Sequence, residues 1–176
     1  MSEAQQQTQD IVIHKIWRKG RFASFNYWEQ ANKISIDIGE FSDGKLIGAT
    51  KCYVDLLPFY TYLDAEHHDR LKIVYPKFDS EGFAVYGGNA KVARVFKSHW
   101  WMNGQNTDLS SRVFKCGHFE AKVSGTGAII PDMSKPLSMT SIKISMEEIA
   151  HVYHAYSSLL ALRPGILFGG EVKDGE

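Results

Sequence analysis

The stretch Lys15-Ile16-Trp17-Arg18-Lys19-Gly20-Arg21-Phe22-Ala23-Ser24-Phe25-Asn26-Tyr27-Trp28 carries four basic residues, five aromatic residues and no acid. Single-stranded nucleic acid calls for this mixture: cations track phosphates while flat rings stack on unpaired bases. In an extended strand, Lys15, Trp17, Lys19, Arg21, Phe25 and Tyr27 point one way, so cations and rings share a face. A bulge at Gly20 would swap that register. Phe22 and Trp28 fall on the opposite register and are assigned to the core. Lys33, at the start of the next strand-like segment, adds a further cation.

A second stretch, residues 91–122, holds Lys91, Arg94, Lys97, Arg112, Lys115 and Lys122 against Asp108 and Glu120. Phe114 lies beside Lys115. Trp100 and Trp101 stand next to each other, so on a strand they face opposite ways. One belongs to the core; the other is a base platform or a partner-interface residue. The candidate nucleic-acid contacts are therefore Trp17, Lys19, Arg21, Phe25, Tyr27, Lys33, Lys97, Trp100, Trp101, Arg112, Phe114 and Lys115. The first stretch carries the stronger case.

Other chemistries find less support. Cys116, His118 and Glu120 alternate on one strand face and suit zinc by type, but no further cluster joins them. His67-His68-Asp69 sits at a helix end, where a solvated surface is the default. His151 and His154 lack the glutamate and spacing of a metalloprotease motif. A Cys116–His118 dyad is disfavoured because such pairs join distant segments. Tyr86-Gly87-Gly88-Asn89 and Gly125-Thr126-Gly127 are turns or bulges, not phosphate loops. No catalytic residue, metal or cofactor is expected.

The elements that must position these residues come in a repeated order. Residues 11–17 and 21–28 are strand-like, and Lys33-Ile34-Ser35-Ile36-Asp37-Ile38 alternates strictly. Ser42-Asp43-Gly44-Lys45 is a hairpin turn. Residues 46–54 return as a strand into a helix that starts after Asp55, whose carboxylate is expected to cap it. Residues 71–75, 83–87, 92–102 and 112–123 are strand-like, and Pro131 to Pro136 form a connector. The last helix opens on a Ser145/Glu148 capping box. Its apolar stripe is Ile149, Val152, Tyr153, Tyr156, Leu159 and Leu160. Aligning Asp55 with Ser145 brings Val54, Leu56 and Phe59 into step with Ile144, Met146 and Ile149. The expected fold is α+β: a tandem antiparallel sheet-plus-helix repeat, ββββα twice, with an internal pseudo-twofold. It occupies residues 11–163 as one domain, with half-repeats at about 11–70 and 71–163. A disordered tail at 1–10 precedes it and a flexible acidic tail at 164–176 follows.

Composition sets outer bounds. The chain has 176 residues, 44% of them hydrophobic, and a net charge of zero from 20 basic and 20 acidic residues. That is a globular composition without a general positive coat, so any basic face is local. Cys52 and Cys116 have no paired spacing and read as buried free thiols in a reducing compartment. No apolar run reaches the length of a membrane span, and Met1-Ser2-Glu3-Ala4-Gln5-Gln6-Gln7 lacks a signal-peptide profile. A cytoplasmic location is expected.

Trp17-Arg18-Lys19-Gly20-Arg21-Phe22-Ala23 resembles the aromatic-Lys-Gly-Lys-Ala-Ala stretch in the first strand of the Whirly proteins. Lys33-Ile34-Ser35-Ile36-Asp37-Ile38-Gly39-Glu40-Phe41 is similar to the central strand of the positive-cofactor-four coactivators. Ser141-Ile142-Lys143-Ile144-Ser145 resembles the closing unit of a Whirly chain. The likeness spans most of residues 11–163 at the level of pattern, and departs from the Whirly stretch at Arg18 and Phe22. It implies single-stranded DNA binding across the sheets, with Lys19, Gly20 and Arg21 at the Lys-Gly-Lys positions and Trp17 as the stacking residue. It also implies a homo-oligomer. A related mitochondrial group of the same fold binds RNA, so RNA is the alternative ligand. The rival classes are a protein-interaction module using Trp100 and Trp101, and an enzyme using Cys116, His118 and Glu120.

Overall fold

The isoleucines of the strict alternation set the architecture. The computed structural model describes residues 10–163 and residue 165. The first sheet runs β1 (Ile11–Arg18), β2 (Arg21–Trp28), β3 (Lys33–Ser42) and β4 (Lys45–Asp55), in spatial order β1-β2-β3-β4. Ile34, Ile36 and Ile38 pair with Tyr27, Phe25 and Ala23 on one side and with Val54, Cys52 and Thr50 on the other. Residues directly opposite in an antiparallel pair share a face, so these rows form one apolar surface. The turn between β3 and β4 is the expected Asp-Gly, with φ of 50° at Asp43 and 74° at Gly44.

The second sheet runs β5 (Phe83–Gly88), β6 (Val92–Asn103), β7 (Asn106–Val123) and β8 (Ile129–Ser145), again in chain order and antiparallel throughout. Each sheet leads into a helix: α1 (Leu56–His67) after the first and α4 (Met146–Leu162) after the second. The fold is therefore α+β, with two four-stranded antiparallel sheets each followed by a helix. The sheets face each other through β3 and β4 on one side and β6, β7 and β8 on the other. Four side chains bond across that junction to backbone carbonyls. Cys52 Sγ reaches Val95 at 3.3 Å, Cys116 Sγ reaches Ile36 at 3.5 Å, Thr140 Oγ1 reaches Ile38 at 2.8 Å and His118 Nε2 reaches Lys51 at 2.6 Å. Both cysteines are buried free thiols.

The two helices pack against each other and against both sheets. Phe59 of α1 meets Phe25, Phe96 and Tyr156, while Tyr62 stacks on Phe83 with ring centroids 4.5 Å apart. Tyr60 and Tyr153 stack between α1 and α4. The Ser145/Glu148 capping box forms as expected. Asp55 makes no side-chain cap on α1; its carboxylate accepts instead from Lys33 Nζ at 2.7 Å.

Three local expectations are corrected. Residues 71–75, read as a strand, include the single-turn helix α2 (Leu71–Val74), and α3 (Phe78–Glu81) follows; Leu71 and Phe78 anchor them in the core. The Pro131–Pro136 segment, read as a connector, lies inside β8. It is tolerated because β8 is an edge strand and its pairing with β7 shifts register next to Pro131 and Pro136. Asp10, assigned to the tail, accepts hydrogen bonds from Ser35 Oγ at 2.7 Å and Lys51 Nζ at 3.3 Å. The remaining residues of the two expected tails, apart from residue 165, lie outside the described residues.

Candidate nucleic-acid interface

The expectation for β2 had its faces inverted. Lys19 and Gly20 form a turn, with Gly20 at φ 73°, so residues 11–28 are a hairpin and not one strand. Pairing with the isoleucine strand then turns Phe25 and Tyr27 inward, and both are buried in the core. They are not ligand contacts. Phe22 and Trp28, assigned to the core, lie on the outer face and are only partly buried. The alternating isoleucines held the signal: strands that pair share their apolar phase, so Ile34 and Ile36 fix Tyr27 and Phe25 as core.

Phe114 and Arg112 are corrected as well. Phe114 is fully buried against Phe25, Phe96 and Tyr62. Arg112 faces the core, where its Nε and Nη2 donate to the two carboxylate oxygens of Glu66, both at 2.7 Å. Its Nη1 donates to the carbonyls of Leu109 and Ser111, and Tyr62 Oη donates to Glu66. Trp100 lies over the Arg112 guanidinium at 3.9 Å, and its indole N–H donates to Asp79. A bond from Lys72, joined by this one from Trp100, holds the Asp79 carboxyl below its usual range. Arg112 and Trp100 thus belong to a structural cluster at the α1–β6–β7 junction.

On the outer face of the first sheet, Trp17 is 61% exposed and sits against Phe22 and Phe41, with centroids 5.5 Å and 6.3 Å away. The Phe22 ring lies flat over Gly39 of β3; a Cβ there would come within 2.1 Å of it. The aromatic platform therefore depends on a glycine. The basic residues of this sheet divide: Lys15, Lys19 and Lys45 have no ion pair among the described residues, while Arg18, Arg21, Lys33 and Lys51 do. Arg21 pairs with Glu40 at 3.0 Å and donates to the Ser141 carbonyl, and Arg18 pairs with Glu148. Lys33 pairs with Asp55, and Lys51 bridges Asp10 and Asp37. Burial opposes the charge on Lys51, but the two carboxylates outweigh it and raise its pKa; burial also pushes the Asp37 carboxyl up. Lys19 stands exposed in the turn.

The outer face of the second sheet differs. Lys97 of β6 and Lys115 of β7 are directly opposite each other in the register. Neither has an ion-pair partner among the described residues, whereas Lys33 and Lys51 of the first sheet do. Like charges placed directly across a sheet are destabilising. Four residues along β6, about 13 Å at strand rise, Trp101 shares this face, with Lys143 Nζ 4.9 Å from its ring centre. Lys143 reaches Asp108 only at 3.6 Å, and Asp108 is held acidic chiefly by the Ser110 hydroxyl and amide. Beside the lysines is a hollow of about 130 Å³ lined by Val95, Gly117, Phe119, Met133 and Met139. The Phe119 ring covers Gly117. Lys97, Lys115 and Trp101 are thus brought together, and Lys143 and the hollow join them unanticipated. The alternation Ile142-Lys143-Ile144 was the available signal for Lys143, since two buried isoleucines force it outward.

Cys116, His118 and Glu120 do not converge. Cys116 bonds in the core, His118 meets the Lys51 carbonyl and Glu120 pairs with Lys135. Among the described residues no group of three His, Cys, Asp or Glu side chains is placed to hold a metal, and no helix among them is long and apolar enough to cross a membrane. No family model matches the chain, and no curated protein matches it.

Proposed function

We propose that this protein is a non-enzymatic single-stranded DNA-binding protein of Whirly-like architecture, working in the cytoplasm. Phosphates are tracked by lysines on a sheet face and bases stack on neighbouring rings. The observation that carries this is the Lys97–Lys115 pair: two cations held directly opposite, with no ion-pair partner among the described residues, beside an apolar hollow and within reach of Trp101. An extended polyanion relieves their repulsion, and the hollow and indole give its bases somewhere to lie. The exposed Trp17 platform on the first sheet offers a second stacking surface. Under an internal pseudo-twofold these two outer faces are quasi-equivalent binding surfaces, one for each half of the repeat. RNA is the alternative ligand, as the resemblance to the related RNA-binding group implies.

The experiment is a panel of fluorescent oligonucleotides, single- and double-stranded DNA and RNA, at two salt concentrations, with tryptophan emission followed in parallel. Single-stranded DNA should bind best, quench emission and weaken as salt rises. Salt-independent or absent binding by folded protein would refute the proposal.

One observation favours a second property. Edge strand β8 exposes Ile130 and Leu137 away from the apolar hollow. An exposed apolar edge is a template for pairing with another chain, so we infer a homo-oligomer assembled through β8. Sedimentation of wild type and Leu137→Lys checks it: assembly lost in the variant supports it, and a wild-type monomer at high concentration contradicts it.

A further inference from the structure

A separate cleft opens where the outer face of the first sheet meets edge strand β5. It has a volume of about 340 Å³ and is walled by Trp28, Lys33, Tyr53, Asp55, Tyr86 and Arg94, with the backbone of Gly87 and Gly88 as a side-chain-free margin. This volume lies at the small end of ligand sites, enough for one compact unit and not for a run of nucleotides.

Arg94 is the unusual member. Its guanidinium carbon lies 5.1 Å from the Tyr53 ring centre, so the cation is laid on an aromatic face. Its Nε is buried and has no hydrogen-bond partner, and the residue has no carboxylate partner among the described residues. Buried donors left unmatched in this way are uncommon, and Arg94 itself lines the cleft. The other cations here are committed: Lys33 to Asp55, and Lys51, also near the Tyr53 ring, to Asp10 and Asp37. Arginine's planar fork matches a phosphate through two parallel N–H donors. Trp28 and Tyr53 lie 5.3 Å apart, and Tyr86 projects as an exposed ring. A flat heterocycle has stacking surface on these rings while its phosphate meets Arg94. Strand β5 is also a sheet edge, whose unpaired peptide groups can bond to a sugar or base.

We propose that this cleft binds one nucleoside monophosphate unit, phosphate on Arg94 and base against Tyr86 and Trp28. The unit is either a free nucleotide or the phosphorylated end of a single strand. The second source rests on the function proposed above; the first does not.

The test titrates wild type, Arg94→Gln and Tyr86→Ala with thymidine monophosphate and with thymidine, reading tryptophan emission, with near-ultraviolet circular dichroism as the fold control. The monophosphate should bind and quench, and thymidine should bind at least about tenfold more weakly, as should the monophosphate to Arg94→Gln. Equal binding of nucleoside and nucleotide, or undiminished nucleotide binding by folded Arg94→Gln, overturns the site. Should Arg94→Gln misfold, Tyr86→Ala decides, because an exposed ring can be removed without loss of fold; unchanged nucleotide binding there overturns the site. Oligo-dT with phosphorylated and with hydroxyl ends separates the sources: a preference for a phosphorylated end assigns the strand terminus, and no preference alongside nucleotide binding assigns the free nucleotide. Hydroxyl-ended oligo-dT binding without any nucleotide binding overturns the cleft and leaves strand binding standing. The reverse pattern overturns strand binding and leaves the cleft.

Discussion

Replacing Arg112 by methionine should unfold the protein more readily without touching a ligand surface. The guanidinium and the Glu66 carboxylate are 4% and 1% exposed, so water screens neither. Arg112→Met keeps most of the volume but leaves Glu66 with the Tyr62 hydroxyl as its remaining partner, and the Leu109 and Ser111 carbonyls lose their donor. Breaking a buried pair from one side costs about 3–5 kcal/mol. That is a large share of the roughly 5–15 kcal/mol that holds a typical domain folded. At about 2–4 °C per kcal/mol for a chain of this size, the melting temperature should fall by about 6–20 °C. Removing both charges, in Glu66→Leu with Arg112→Met, should recover most of the loss, since a well-packed apolar replacement is often neutral or better. Thermal and urea unfolding followed by circular dichroism would measure all three variants. The reasoning is refuted if Arg112→Met melts with wild type, or if its folded form has lost oligonucleotide affinity while its stability is intact.

Ser145→Ala removes the acceptor for the Glu148 amide and should cost about 1 kcal/mol, seen as a lower urea midpoint. Trp17→Ala should leave the melting temperature nearly unchanged yet weaken oligo-dT binding by about 1–3 kcal/mol through lost stacking, measured by fluorescence anisotropy. Burial raises Tyr62 and Tyr156 well above the usual phenol value, and burial with the neighbouring Tyr60 pushes Tyr153 up to about 12. A folded pKa above the unfolded one means that stability is fully present below about pH 10. It should then decline as pH rises through the folded values. Tyrosinate absorbance and unfolding midpoints between pH 9 and 12.5 would show both changes together.

What the sequence made legible was local or periodic. The Asp43-Gly44 hairpin, the Ser145/Glu148 box and the isoleucine stripe are each specified by neighbours within a few residues. What it hid depended on partners distant in the chain. The phase of β2 was lost because the Lys19-Gly20 turn resets the alternation, and only pairing with Ile34 and Ile36 restores it. Arg112 reads as a surface cation until α1 brings Glu66 to it across 46 positions. The prolines of β8 suggest a connector because a sequence does not announce which strand will be an edge. Of the candidate contacts, Trp17, Lys19, Lys97, Trp101 and Lys115 remain available on the outer surface, and the second sheet adds the directly opposed Lys97–Lys115 pair.

The salt dependence of oligo-dT affinity, for wild type against the double variant Lys97→Gln/Lys115→Gln, tests the central claim most directly. Lys97, Lys115 and Lys143 amount to about three phosphate contacts, so log affinity should fall against log salt with a slope of about −2 for a single strand. The double variant should bind more weakly, with a slope shallower by about 1.4, and should melt no lower than wild type because like-charge repulsion has been removed. An unchanged slope and affinity in the folded double variant would contradict the account.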